Sequence, residues 1–107
     1  MKQGYIENFG YILGNSAEEN WEILDLSQEE DILFHLQSFP SCYLILNCDN
    51  PNLEIIKKCA EICLKNTKYK NLKNVYVDYT KIKNVKKGDK IGQLIYTSNR
   101  QIKNIRL

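Results

Sequence analysis

Apolar positions along this chain fall into short runs separated by polar stretches, with one long interval of helical spacing. Leu53, Ile56, Ala60, Cys63 and Leu64 form a single stripe at that spacing. Asn50-Pro51 just ahead of it supplies a cap and a first-turn proline. The spacing predicts a helix from about Pro51 to Lys65, with Glu54–Lys58 and Glu61–Lys65 as i,i+4 pairs on its wet side. Gly14-Asn15-Ser16 predicts a turn and a cap, because Ser16 and Glu19 stand at capping-box spacing. A short helix over Ala17–Leu26 follows, with Ala17, Trp21 and Leu24 on one face.

The remaining runs read as strands. Tyr5–Leu13 is a strand or hairpin broken at Gly10, and Ile32–Leu36 and Cys42–Leu46 flank a loop at 37–41. Val75–Tyr79, Gly92–Tyr96 and Ile102–Leu107 close the chain, with hairpin turns near Lys86-Lys87-Gly88-Asp89 and Ser98-Asn99. Neither a repeat nor a linker interrupts residues 1–107, so the expectation is one domain of α+β class, a small sheet with helices packed on one face.

Charge changes this picture. Residues 1–56 carry one base, Lys2, against ten acids, a balance of −9. Residues 57–107 carry fourteen bases against three acids, a balance of +11. Such asymmetry points to a polyanion-facing surface on the basic half. The competing reading is that the halves interleave in space and neutralise each other. Runs approaching the ~20 apolar residues of a membrane helix are absent, and the first residues do not lead into a signal-peptide core. A cytoplasmic protein without membrane partners is expected.

Five lysines fall within residues 81–90: Lys81, Lys83, Lys86, Lys87 and Lys90. Lys81 and Lys83 alternate with Ile82, so in a strand both project from one face. Ammonium groups on flexible stems suit phosphates as point charges, without reading bases. Lysines also guard solvated edge strands against aggregation, and local sequence alone does not separate the two roles. Tyr69, Tyr76, Tyr79 and Tyr96 accompany the basic half, as stacking surfaces for unpaired bases or as ordinary strand residues.

The four cysteines form no Cys-x-x-Cys pair, so they read as small buried apolar residues in a reducing compartment, and neither a metal nor another cofactor is expected. Cys59 and Cys63 sit one helical turn apart. His35 is the only histidine, and Asp31 stands in reach as a carboxylate partner after folding. A nucleophile motif, a Walker loop and a dinucleotide fingerprint are all lacking, so a non-enzymatic protein is expected.

One stretch carries a family resemblance. Val77-Asp78-Tyr79-Thr80-Lys81-Ile82-Lys83-Asn84-Val85-Lys86-Lys87, followed by Gly92 and Tyr96, resembles the C-terminal signature of NFACT-R domains. Asp49-x-Pro51, Gly14-x-x-Ala17-x-x-Asn20 and Asp31-x-x-Phe34-His35 with Pro40 fit the same pattern in order from about Phe9 to Leu107. Leu33 stands where the family usually has Trp, Tyr43 where it has a second His, and Asn15 and Glu18 where bases are common.

The resemblance implies an RNA-binding module related to ribosome-quality-control factors, here as a stand-alone domain. Its partners would be tRNA or rRNA, or alternatively DNA, with ribosome-associated proteins as further candidates. The implied phosphate-binding set is Lys81, Lys83, Lys86, Lys87 and Lys90, with Arg100 from the following turn, and by family analogy His35 and Tyr43 border the same groove. The rival reading is a protein-interaction module that faces a basic partner with its acidic front, Glu29-Glu30-Asp31 included.

Overall fold

Alternation along the strands decides which side chains meet. The computed structural model describes residues 1–107. Strand β1 (Lys2–Ile6) and β2 (Phe9–Leu13) form a hairpin through Glu7-Asn8, followed by helix α1 (Ala17–Leu26), β3 (Ile32–Leu36) and β4 (Leu44–Leu46). Helix α2 (Leu53–Lys65) leads to β5 (Tyr76–Lys81), β6 (Val85–Lys87), β7 (Leu94–Tyr96) and β8 (Lys103–Arg106). Six strands make one antiparallel sheet in the order β1-β2-β4-β3-β5-β8, and β6 and β7 pair only with each other. The α+β class expected from the pattern is the fold observed.

The helices take opposite faces of the sheet, not one. Ile32, Phe34, Leu36, Leu44, Leu46 and Val77 meet Ile55, Ile56, Cys59, Ala60, Cys63 and Leu64 of α2 in the larger core. On the other face Leu33, Tyr43 and Ile45 meet Ile23 and Leu24 of α1, with Val85 and Leu94 of the small hairpin packed alongside. The reason lies in β3 and β4, which read Ile-Leu-Phe-His-Leu and Leu-Ile-Leu. A near-continuous apolar run demands cover on both faces.

Both helix starts are capped by side chains. Ser16 Oγ accepts from Glu19 N at 3.1 Å, and Glu19 reaches back to Asn15 N at 2.9 Å. The cap of α2 is Asn52, accepting from Ile55 N at 2.9 Å, so Asn50 and Pro51 lie before the helix. Leu53, the first helical residue, is 69% exposed and leaves the predicted stripe, while Ile55 and Cys59 join it. Glu54 and Lys58 pair at 3.4 Å, whereas Glu61 and Lys65 form no ion pair.

Two other expectations shift. The chain near Ser98-Asn99 is not a hairpin turn. It is a single 3-10 turn (Asn99–Gln101) that carries the chain from the small sheet to the edge of the large one, where β8 pairs with β5. Ile82–Asn84 is also a 3-10 turn, so Lys81 and Lys83 do not alternate along a strand.

Candidate nucleic-acid interface

The lysine-bearing hairpin is held from below by hydrogen bonds. Gln93 organises its turn: the side-chain oxygen accepts from Asp89 N at 2.8 Å and Lys90 N at 3.2 Å. The Gln93 carbonyl accepts from Gly88 N at 3.0 Å and from the Trp21 indole at 3.1 Å. Tyr43 donates its hydroxyl to Gly92 O at 2.6 Å. Gly92 has φ +86, and a Cβ there would lie 2.6 Å from Ala17 Cβ, so both conformation and space select glycine. Behind this contact, Asn20 Oδ1 accepts from Tyr43 N at 3.0 Å, and Gly14 passes so close to Asn20 that a Cβ would sit 2.3 Å from its Oδ1. Gly14, Ala17, Asn20 and Gly92 are thus one packing arrangement that seats the hairpin.

Pleating then sorts the lysines. Lys87 lies opposite Leu94, on the same side as the Val85–Tyr96 pair that faces the sheet. Its ammonium meets Asp25 at 2.7 Å and lies 5.1 Å from the Trp21 ring centre. Lys86 lies opposite Ile95 on the outer side, and it and Lys90 are exposed without an ion-pair partner, as is Arg100 on the later 3-10 turn. Lys81 and Lys83 converge on one carboxylate, Glu30, with Lys83 at 3.0 Å. That Glu30 carboxyl is held below its usual range, first by the Lys81 hydrogen bond and then by Lys83. The two charge halves therefore interleave at Glu30 and Asp25, while Lys86, Lys90 and Arg100 stay free.

His35 and Tyr43 occupy the face that the hairpin covers. Their rings meet edge-on at 5.4 Å, but Tyr43 is wholly buried, so its part is to support the hairpin and not to border a groove. The cross-strand partner of His35 is Asp78, not Asp31, which turns instead to accept from Gln28 N at 2.9 Å. Asp31 precedes β3 and stands four residue steps from His35, about 13 Å along an extended chain and beyond hydrogen-bond reach. Asp78 accepts from Gln37 Nε2 at 3.1 Å and Tyr96 OH at 3.3 Å, and burial raises its carboxyl above the usual range. The periodicity that placed Asp78 in a strand was a sequence signal for this cluster, but nothing local pointed to Gln37 or to Tyr96 as its partners.

Among the tyrosines, Tyr79 stacks on Phe34 at 5.6 Å, Tyr69 packs on Phe39 at 4.5 Å, and Tyr76 is exposed. Cys48, Cys59 and Cys63 are buried and Cys42 half-buried, all as free thiols.

Comparison with known proteins gives distant relations. No family model matches the chain. Over 90 residues, 82% of its length, the chain is 29% identical to the Rqc2 homolog RqcH of Bacillus subtilis (strain 168). It spans only 16% of that protein. The solved C-terminal of the fibronectin/fibrinogen-binding protein from Streptococcus suis shares the fold with a TM-score of 0.82 at 21% identity, covering 92% of this chain and 40% of that one. The sequence relation to RqcH is a distant one, and the structural likeness establishes the fold.

Proposed function

We propose that this chain is a non-catalytic RNA-binding module of the NFACT-R type that serves ribosome-associated quality control in the cytoplasm. Its ligand is the phosphate backbone of tRNA or rRNA, with DNA as the competing polyanion. The observation that carries this reading is the hairpin, which packing and hydrogen bonds hold in place while it lifts Lys86 and Lys90 into solvent without acid partners. Arg100 adds a third free cation. Lys81, Lys83 and Lys87 form a reserve, because exposed ion pairs add little stability and exchange readily for phosphate. The similarity to RqcH supports the ribosome-associated context.

The ion pairs at Glu30 and Asp25 favour one second reading, a protein-interaction module in which acids and bases of the two halves cancel. One titration separates them. Wild type and a Lys86→Glu, Lys90→Glu variant are bound to tRNA, single-stranded RNA and duplex DNA at two salt concentrations. The proposed function expects affinity to fall with salt and the variant to lose about 0.7 of log–log slope per lysine on single strands, weakening all sequences alike. A folded variant that binds as tightly as wild type would favour the protein-interaction reading.

A further inference from the structure

The lysines leave one concavity of the same face unexplained. A cavity of about 440 Å³ opens between the sheet and the hairpin, lined by His35, Gln37, Phe39, Asp78, Leu94 and Tyr96 among others. Gly92 and Gln93, at the foot of the lysine-bearing turn, line it too. We infer that this cavity takes one unpaired nucleobase, guanine in preference to the other three.

The lining matches the surfaces of a base. Unpaired bases present flat apolar faces and polar edges, and proteins take them between apolar or aromatic walls with hydrogen bonds to the edge. Phe39, Pro40 and Leu94 provide the apolar wall, and Asp78, Gln37 and His35 the polar one. Asp78 already accepts one hydrogen bond on each oxygen, from Gln37 and from Tyr96. An ionised carboxyl has about four lone-pair sites, so acceptor capacity is left. Guanine alone among the four bases carries two adjacent N–H donors, N1–H and the 2-amino group, the pair that two carboxylate oxygens receive. Gln37 Nε2 spends one hydrogen on Asp78 and keeps the second for a carbonyl such as guanine O6. Adenine, cytosine and uracil each leave one of these partners unpaired.

As a subsite this pocket deepens the RNA-binding reading and rests on it for its ligand. The test uses mononucleotides, so the two fail separately. His35 is the sole histidine and lines the cavity, so its ring signals in NMR report occupancy. GMP, AMP, CMP and UMP are titrated at millimolar concentration against ribose 5-phosphate as the baseless control. The expected result is a saturable His35 shift with GMP, at least about fivefold weaker binding of the other nucleotides, and no shift with ribose 5-phosphate. Asp78→Asn removes the guanine preference. Gln37→Ala, at an exposed position that leaves the core intact, weakens GMP and keeps the reading sound if Asp78→Asn does not fold. A shift that ribose 5-phosphate reproduces, or no shift with any nucleotide, overturns the pocket. RNA binding without a nucleotide response removes the pocket and leaves the proposed function, and a GMP response without RNA binding does the reverse.

Discussion

Tyr43 donates its hydroxyl to the carbonyl of Gly92 at 2.6 Å, joining a wholly buried ring just before β4 to the base of the lysine-bearing turn. The contact positions the hairpin from a residue that never reaches solvent. Removing the hydroxyl with Tyr43→Phe should cost about 1 kcal/mol, the net worth of an ordinary hydrogen bond. Gly92→Ala should cost more, because the new methyl meets both a positive φ and the Ala17 side chain. Urea denaturation measures both. A Gly92→Ala protein as stable as wild type would mean that the turn adapts and the hairpin is not seated by this contact.

Helix α2 gives a second test. Ile56 is buried against the sheet and Leu53, three residues earlier, is not. Ile56→Ala should cost roughly 2–5 kcal/mol through lost burial and the cavity left behind. Leu53→Ala should stay within about 0.5 kcal/mol, as surface changes do. Equal melting temperatures for the two variants would contradict the placement of the helix.

The contrast between those two residues marks what the sequence made legible. Both helices and the central strands were readable, because propensity, capping and apolar spacing agreed there. Asn50 and Asn52 flank Pro51 and suit a cap equally well. The structure uses Asn52, which leaves Leu53 as the first helical residue, at the exposed start of the helix. Lys81 and Lys83 were read as strand neighbours because an alternating Lys-Ile-Lys pattern fits a strand. The chain turns there instead, with the amides of Ile82 and Lys83 donating to the carbonyls of Asp31 and Glu29. The density of lysines was visible and the acids that meet them were not, since Glu30 and Lys81 lie 51 residues apart. The Asp78–Gln37–Tyr96 group was hidden for the same reason.

The single histidine offers a pH test. Burial lowers the His35 pKa from its usual 6.5, with a hydrogen bond at Leu36 partly opposing. The folded state therefore holds this proton less tightly than the unfolded chain. Stability contributed by neutral His35 is complete above about pH 6.5 and is lost as pH falls from there toward the folded pKa. Asp78 works in the other sense: burial raises its pKa, so its cost at neutral pH is relieved as pH falls through that raised value. The His35→Gln variant isolates the first effect, since the difference from wild type should shrink on acidification below 6.5. An imidazole NMR midpoint at or above 6.5 would refute the assignment.

Glu30 supplies the last prediction, which bears on the proposed function. Its carboxylate engages both Lys81 and Lys83, so two of the five lysines are masked by one acid. A phosphate that approaches them must displace that carboxylate and meets its repulsion. Glu30→Gln keeps the shape, removes the charge and frees both ammonium groups. Glu30 and Lys83 are exposed and Lys81 is half-buried, so the fold should hold. RNA affinity should rise, and the log–log salt slope should steepen by about 0.7 for each phosphate newly contacted on a single strand. Net charge alone also raises affinity for a polyanion, so the comparison needs a matched change. Glu22→Gln on α1 alters net charge equally at an exposed glutamate with no ion pair. If Glu30→Gln gains affinity and slope beyond Glu22→Gln, the masked pair lies in the RNA path. If the two variants gain equally, Lys81 and Lys83 lie outside it, and the contacts belong to Lys86, Lys90 and Arg100.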